Sequence, residues 1–95
     1  MRKEKITEMK RRVKILQRQL GQVGPVMRGT VVWLGARTKQ AYFSLNKEKK
    51  TRLIYLGKKR EPAARQLSAN YKSLLAFVEE MTLLNMELLR RNAWD

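Results

Sequence analysis

The sequence predicts an α+β fold with an N-terminal helix, a three-stranded antiparallel sheet and a long C-terminal amphipathic helix, in a single domain of residues 1–95. Apolar residues recur at helical spacing near both ends of the chain. The central segment instead contains short runs rich in valine, threonine and aromatic residues, separated by basic turns. A length of 95 residues, 43% of them apolar, suits one folded domain rather than two.

The N-terminal helix is predicted over residues 3–20, followed by Gly21 as a natural stop. Its apolar side chains recur every three or four residues and form a narrow stripe: Ile6, Met9, Val13, Leu16 and Leu20. Lysine and arginine occupy the other faces. Such a helix packs in a bundle, binds nucleic acid or lies on an anionic membrane. The narrow stripe, without Trp or Phe, favours packing with the basic face outward.

Three strands are predicted in a basic sheet segment, residues 26–57, at 26–34, 40–45 and 51–56. The connecting turns of about five residues suit a meander. Alternation along the first strand places Trp33 beside Val31 and predicts a core position for its indole. The predicted solvent face carries mostly polar side chains: Arg28, Thr30, Gln40, Tyr42, Ser44 and Arg52.

A long helix is predicted over residues 62–92, with Pro62 at its first position and Glu61 as a possible cap. A heptad seam runs along this helix with spacings of three and four: Leu67, Tyr71, Leu74, Val78, Met81, Asn85 and Leu88. Because so small a chain buries little core by itself, the seam predicts a homodimer. Asn85 either faces its equivalent across that dimer or is a hydrated residue near a frayed helix end.

The charge distribution predicts a polyanionic partner. The chain carries a net charge of +14, divided as +6 over residues 1–20, +8 over residues 21–61 and zero over residues 62–95. A charge that served only solubility would not be expected to divide so unevenly.

Cysteine and histidine are both absent, which excludes disulfides, cysteine-ligated zinc and the commonest general base. We therefore expect no enzymatic activity, no metal and no cofactor. No apolar run reaches about 18 residues and no secretory signal is evident, so we expect a cytoplasmic protein without membrane association.

The predicted partner is nucleic acid, with double-stranded DNA favoured over RNA. Strand residues would reach base edges, whereas turn lysines would hold phosphates. Tyr42 is either a base-stacking residue or a half-buried strand tyrosine. The predicted contact residues lie on the strands, in the turns and just before the last helix: Arg28, Thr30, Arg37, Lys39, Gln40, Tyr42, Ser44, Lys47, Lys49, Lys50, Arg52, Lys58, Lys59 and Arg60. An RNA-binding or ribosome-associated protein and a helical protein-interaction module remain open as alternatives.

The segments "MRGTVV", "AYFSL", "KTRLIYLGKK" and "NYKSLLAFVEEMTLLNMELLRR" carry a family resemblance. Over residues 26–91 the chain resembles a small bacterial and archaeal domain family of unknown function, encoded near transposase genes. The resemblance implies a short sheet, a long helix and a mobile-element DNA context. Many members carry a cysteine-rich stretch between the first two strands, which suggests a zinc knuckle. This chain has "LGARTKQ" there, so the zinc role does not carry over. The order of elements is also similar to the arm-site DNA-binding domain of some integrases, at fold level only.

Overall fold

The computed structural model describes residues 5–94 and confirms the α+β fold. In chain order, one helix precedes the three strands and one follows them: α1 (Ile6–Gln22), β1 (Thr30–Leu34), β2 (Gln40–Lys47), β3 (Lys50–Tyr55) and α2 (Gly57–Arg90). The sheet order is β1-β2-β3 and both pairings are antiparallel, as the short connections predict. β1 and β3 are therefore the edge strands, and all six residues of β3 are exposed.

The chain folds into two compact units, which are described separately below. The sheet unit, Gly24–Lys72, contains the three strands and the first half of α2. The helical unit contains α1 and the second half of α2, within residues 5–23 and 73–94. Neither helix among residues 5–94 is long and apolar enough to span a bilayer.

The N-terminal helix extends further than the glycine signal indicates. α1 runs through Gly21 to Gln22, and the Val23 amide donates to the Leu20 carbonyl at 3.3 Å. No atom lies within 4 Å of a Cβ added at Gly21, so the packing there does not require a glycine. Of the predicted start, residues 3 and 4 lie outside the described residues, and the helix begins at Ile6.

The first strand is shorter than predicted, because residues 26–29 pack against α2 instead of pairing in the sheet. The Met27 amide donates to the Leu67 carbonyl at 3.1 Å, and the Gly29 carbonyl accepts from the Ser68 hydroxyl at 2.8 Å. Gly29 adopts a φ of 135°, which L side chains rarely reach. The backbone therefore turns at Gly29 before β1 begins at Thr30.

The second hairpin is tighter than the predicted five-residue turn. Lys47 pairs with Lys50, so the loop contains only Glu48 and Lys49. Both loop residues have positive φ, 54° and 63°, as in a type I′ turn. This geometry lengthens β2 to Lys47 and moves the start of β3 to Lys50.

The long helix begins five residues earlier than predicted and ends two residues earlier. Gly57, with a φ of 68°, follows β3 after one residue and starts α2, so Pro62 lies inside the helix rather than at its first position. At the other end Asn92 takes the left-handed conformation, with a φ of 54°. The Ala93 amide donates to the Leu88 carbonyl and the Asn92 amide to the Leu89 carbonyl, the pattern of a Schellman motif.

The core of the sheet unit lies on one face of the sheet. Ala41 and Phe43 of β2 are buried together with Leu56 and with Ala64 of α2. The predicted core position of Trp33 is wrong, since this side chain is 52% exposed. Trp33 pairs with Ala41 of β2 on one side, but β1 is an edge strand, so no strand lies on the other side of Trp33 to cover it.

In the helical unit the N-terminal stripe is buried at Met9 and Leu16, and α2 contributes the buried Leu88. The Arg12 guanidinium donates to both carboxylate oxygens of Glu80, at 2.6 and 3.0 Å. These hydrogen bonds lower the pKa of Glu80 below its usual range, against a smaller opposing effect of desolvation. The bidentate pair thus links α1 to the second half of α2.

Candidate nucleic-acid interface

Most of the net charge lies in the sheet unit. Residues 24–72 contain twelve lysines and arginines against two glutamates, so the unit carries +10 of the net +14. Several carboxylates of the helical unit are occupied by arginines of the same unit, as in the Arg12–Glu80 pair. The helical unit carries only the remaining +4, whereas the sheet unit has a large excess of positive charge.

The strand register divides the sheet into two faces, because cross-strand partners point to the same side. The inner face carries the buried Ala41 and Phe43. The opposite, outer face collects neutral side chains: Thr30, Val32, Leu34, Gln40, Tyr42, Ser44, Asn46, Thr51, Leu53 and Tyr55. Arg52 pairs with Leu45 and therefore belongs to the inner face, so its predicted place beside Tyr42 and Ser44 is wrong. The outer face is polar and aromatic rather than basic.

Two tyrosines meet at the centre of the outer face. The rings of Tyr42 and Tyr55 pack edge to face with centroids 5.5 Å apart, and Tyr42 is half-buried. The Tyr55 hydroxyl donates to Gln40 Oε1 at 3.2 Å, so the Gln40 amide is oriented by a neighbour on the same face. Of the two predictions for Tyr42, its exposure in the structure agrees with the half-buried strand tyrosine.

Three predicted phosphate-binding lysines and one predicted base-contacting arginine meet at the hairpin end, defined as Lys47, Lys49, Lys50 and Arg52. All four are exposed, and within residues 5–94 none of them pairs with a carboxylate. Arg28 joins them from the segment before β1, since its guanidinium donates to the Asn46 carbonyl at 2.9 Å. Lys47 and Lys50 are direct cross-strand partners, an arrangement of like charges that destabilises a sheet unless an anion neutralises it.

The remaining predicted cations lie at the opposite end of the sheet, where the β1–β2 loop approaches the start of α2. Arg37 and Lys39 are exposed in that loop, and Lys58 and Lys59 are exposed in the first turn of α2. Arg60 is held by the sheet, because its guanidinium donates to the Tyr55 and Leu56 carbonyls at 2.8 and 3.1 Å. The eight residues of β2 separate the two basic ends by about 23 Å, at the usual rise per strand residue.

The sheet unit also contains a cleft that the sequence interpretation missed. An open cleft of about 230 Å³ is lined by β1 and α2 through Thr30, Val31, Trp33, Arg65, Ser68, Ala69 and Lys72. The helical spacing of Arg65, Ala69 and Lys72, four and then three residues apart, places them on one face of α2 and could have indicated a basic stripe.

The predicted dimer seam is largely covered within the chain. Leu88 is only 2% exposed and Leu67, Tyr71, Leu74 and Met81 are half-buried, whereas Val78 is 46% exposed. Asn85 Oδ1 accepts a hydrogen bond from the Trp94 indole at 2.9 Å. The polar position in the seam therefore has a partner in its own chain.

A second apolar stripe of α2 points away from that packing. The outer stripe recurs at spacings of three and four along the second half of the helix: Leu75, Val78, Thr82, Met86 and Leu89. Its four apolar members are 46–62% exposed. The Thr82 hydroxyl donates to the Val78 carbonyl at 2.7 Å, so the one polar group of the stripe is satisfied within the helix.

No protein-family model, curated protein or solved structure matches this chain. The resemblance to the family encoded near transposase genes stays a prediction from the four quoted segments.

Proposed function

We propose that this protein binds nucleic acid, with double-stranded DNA as the favoured target, through the two basic ends of its sheet. The observation that carries the proposal is the cluster of cations at the hairpin end, which have no carboxylate partner within residues 5–94. Uncompensated lysines and arginines on a small rigid hairpin suit phosphate groups, whose binding releases condensed counterions. No catalytic role is proposed for any residue.

The proposed mode separates positioning from recognition. Cations at the two ends of the sheet hold phosphates and fix the orientation of the protein. The outer face between them offers Gln40, Ser44 and Thr30 to base edges. The cross-strand pair Lys47 and Lys50 belongs to the inner face by register and would reach phosphates past the hairpin end of the sheet. Since Gln40 and Ser44 are half-buried, base contacts are expected to add less to the affinity than the phosphates do.

A homodimer is the proposed assembly, with the outer stripe of α2 as the contact. The exposed apolar side chains of this stripe and the internally satisfied Thr82 support burial against a second copy. In sedimentation equilibrium at micromolar concentration, we expect twice the chain mass of 11.2 kDa. Val78→Glu with Leu89→Glu should give monomers, whereas Leu83→Glu, outside the stripe, should not. A wild-type protein that sediments at 11.2 kDa would contradict the dimer.

The binding test is fluorescence anisotropy of a labelled duplex DNA and a matched RNA, titrated at several salt concentrations. The variant Lys47→Gln/Lys49→Gln/Lys50→Gln removes three cations of the hairpin end. If each neutralises one phosphate, the slope of log affinity against log salt should become shallower by about 2.7, at about 0.9 per contact for duplex DNA. The control Lys5→Gln/Arg11→Gln/Arg18→Gln removes three exposed charges, two on α1 and one on the residue that precedes it.

Four outcomes separate the alternatives. A loss confined to the hairpin variant supports the sheet ends as the binding surface. Equal losses in both triple variants would mean that net charge alone drives binding. Tighter binding to RNA than to duplex DNA would replace the favoured target, and the absence of any binding at low salt would reject nucleic acid as the partner.

A further inference from the structure

The cleft between β1 and α2 combines an aromatic ring with cations, on a part of the sheet unit that the proposed phosphate contacts do not use. Trp33 is 52% exposed, and within residues 5–94 it stacks on no other aromatic ring. Ala69, the small residue in the lining, leaves space beside the indole. Trp33 therefore presents apolar ring surface in a recess large enough to receive a flat group.

The charge of the cleft matches a single phosphodiester. Lys72 is exposed and has no carboxylate partner in the described chain. Arg65 forms an ion pair with Glu61 one helical turn earlier, so it is already partly neutralised. Taken together, the charges of Lys72, Arg65 and Glu61 leave one net positive charge. Each nucleotide within a strand carries one negative charge on its phosphate.

The size of the cleft limits the ligand to about one nucleobase. Its volume of about 230 Å³ lies below the roughly 300–1,000 Å³ of pockets that hold drug-sized ligands. A dinucleotide cofactor is too large for such a space. A single nucleobase that leaves its phosphate at the open edge of the cleft is compatible with it.

We propose that this cleft binds one unpaired nucleotide of a single-stranded nucleic acid. Trp33 stacks on the base, and Lys72 with Arg65 contacts the adjacent phosphate. The proposal rests on nucleic-acid binding as the proposed function and adds a preference for an unpaired segment. A base inside an intact duplex is stacked on its neighbours and would not enter the cleft.

The test follows Trp33 emission directly. The Trp94→Phe protein leaves Trp33 as the only tryptophan, because the chain contains two. A single-stranded thymidine oligonucleotide is titrated into this protein, and thymidine 5′-monophosphate at equal nucleotide concentration serves as the free-nucleotide arm. We expect saturable quenching by the oligonucleotide and much weaker quenching by the mononucleotide. Equal quenching by both would assign the cleft to a free nucleotide and overturn the proposal.

Variants separate this site from the basic ends of the sheet. Trp33→Ala should weaken oligonucleotide binding by about 5- to 150-fold, the range for loss of one base–aromatic stack, and leave duplex affinity unchanged. Trp33→Phe keeps a ring and should retain most of the affinity. Lys72→Gln should weaken oligonucleotide binding more than the charge-matched Lys5→Gln does. Circular dichroism establishes that each variant is folded.

The failure of this proposal is distinguishable from failure of the proposed function. Duplex binding together with unquenched Trp33 at saturating oligonucleotide would overturn the cleft alone. Equal losses of duplex and single-strand affinity in Trp33→Ala would also overturn it. Absence of binding to either nucleic acid would overturn both.

Discussion

Gly29 provides the sharpest test of the fold, because its backbone and its surroundings both exclude a side chain. A Cβ placed there would lie 2.6 Å from Phe43 Cε2, Phe43 Cζ and the Ser44 carbonyl oxygen. Real Cβ atoms essentially never approach heavy atoms within 3.0 Å, so Gly29→Ala must displace the Phe43 ring and the β2 backbone. Its φ of 135° adds conformational strain for any residue that has a Cβ.

The two contributions are of similar size. A residue held in a sparsely populated backbone region costs about 1–3 kcal/mol. Overpacking a filled core costs about 1–3 kcal/mol more. The free energy of unfolding should therefore fall by about 2–6 kcal/mol, against about 5–14 kcal/mol expected for a chain of this length. Even the lower figure lowers the melting temperature by about 8 °C or more.

The assay is thermal and urea denaturation followed by circular dichroism at one fixed protein concentration. Gly21→Ala is the matched control, since nothing lies within 4 Å of the added methyl group and the residue is already helical. Alanine there should leave stability unchanged or raise it by up to about 1 kcal/mol. If Gly29→Ala melts at the wild-type temperature, the turn before β1 and the position of Phe43 are both wrong.

Three further predictions concern the helical unit. Leu16→Ala, at a fully buried position, should lower the free energy of unfolding by about 2–5 kcal/mol, whereas Leu83→Ala, 59% exposed, should change it by less than about 0.5 kcal/mol in urea denaturation. Hydrogen bonds from Arg90 and then Arg91 lower the pKa of Glu87 from 4.5 to about 2. Because the pKa of Glu87 is depressed in the folded state, this carboxylate stabilises the fold above about pH 4.5 and loses that effect as the pH falls toward 2. In a plot of melting temperature against pH, Glu87→Gln should therefore flatten the region between these two pH values. Asn92→Val should destabilise the fold by about 1–2 kcal/mol in thermal melts, because the position is left-handed, whereas Asn92→Gly should not.

Element types and order could be predicted because hydrophobic period and strand propensity are local properties. The helical stripe containing Met9 and Leu16 and the alternation of Ala41 and Phe43 both identify buried faces correctly. Element ends depend instead on tertiary contacts. The Met27 amide donates to the carbonyl of Leu67, far along the chain, and this contact delays the start of the first strand to Thr30.

The site was less predictable, since exposure depends on which strand is at the edge. Trp33 alternates with core residues in the sequence, and only the strand order leaves it open to solvent. Polarity predicts a solvent-face position for Arg52, whereas the register places it with Leu45 on the inner face. The sequence leaves Asn85 either facing its equivalent across a dimer or hydrated near the helix end, whereas the structure gives it Trp94 as a partner, a contact that no heptad pattern contains.

The exposure of β3 has a consequence for solubility. Leu53, Ile54 and Tyr55 form a consecutive apolar run on an edge strand, and each is about half exposed. Free backbone groups beside such a run invite pairing with another molecule, the first step of aggregation. Lys50 and Arg52 on the same strand oppose that step by charge repulsion. We therefore expect the hairpin cations to keep the protein dispersed, and variants that neutralise them should precipitate at lower protein concentrations than the wild type.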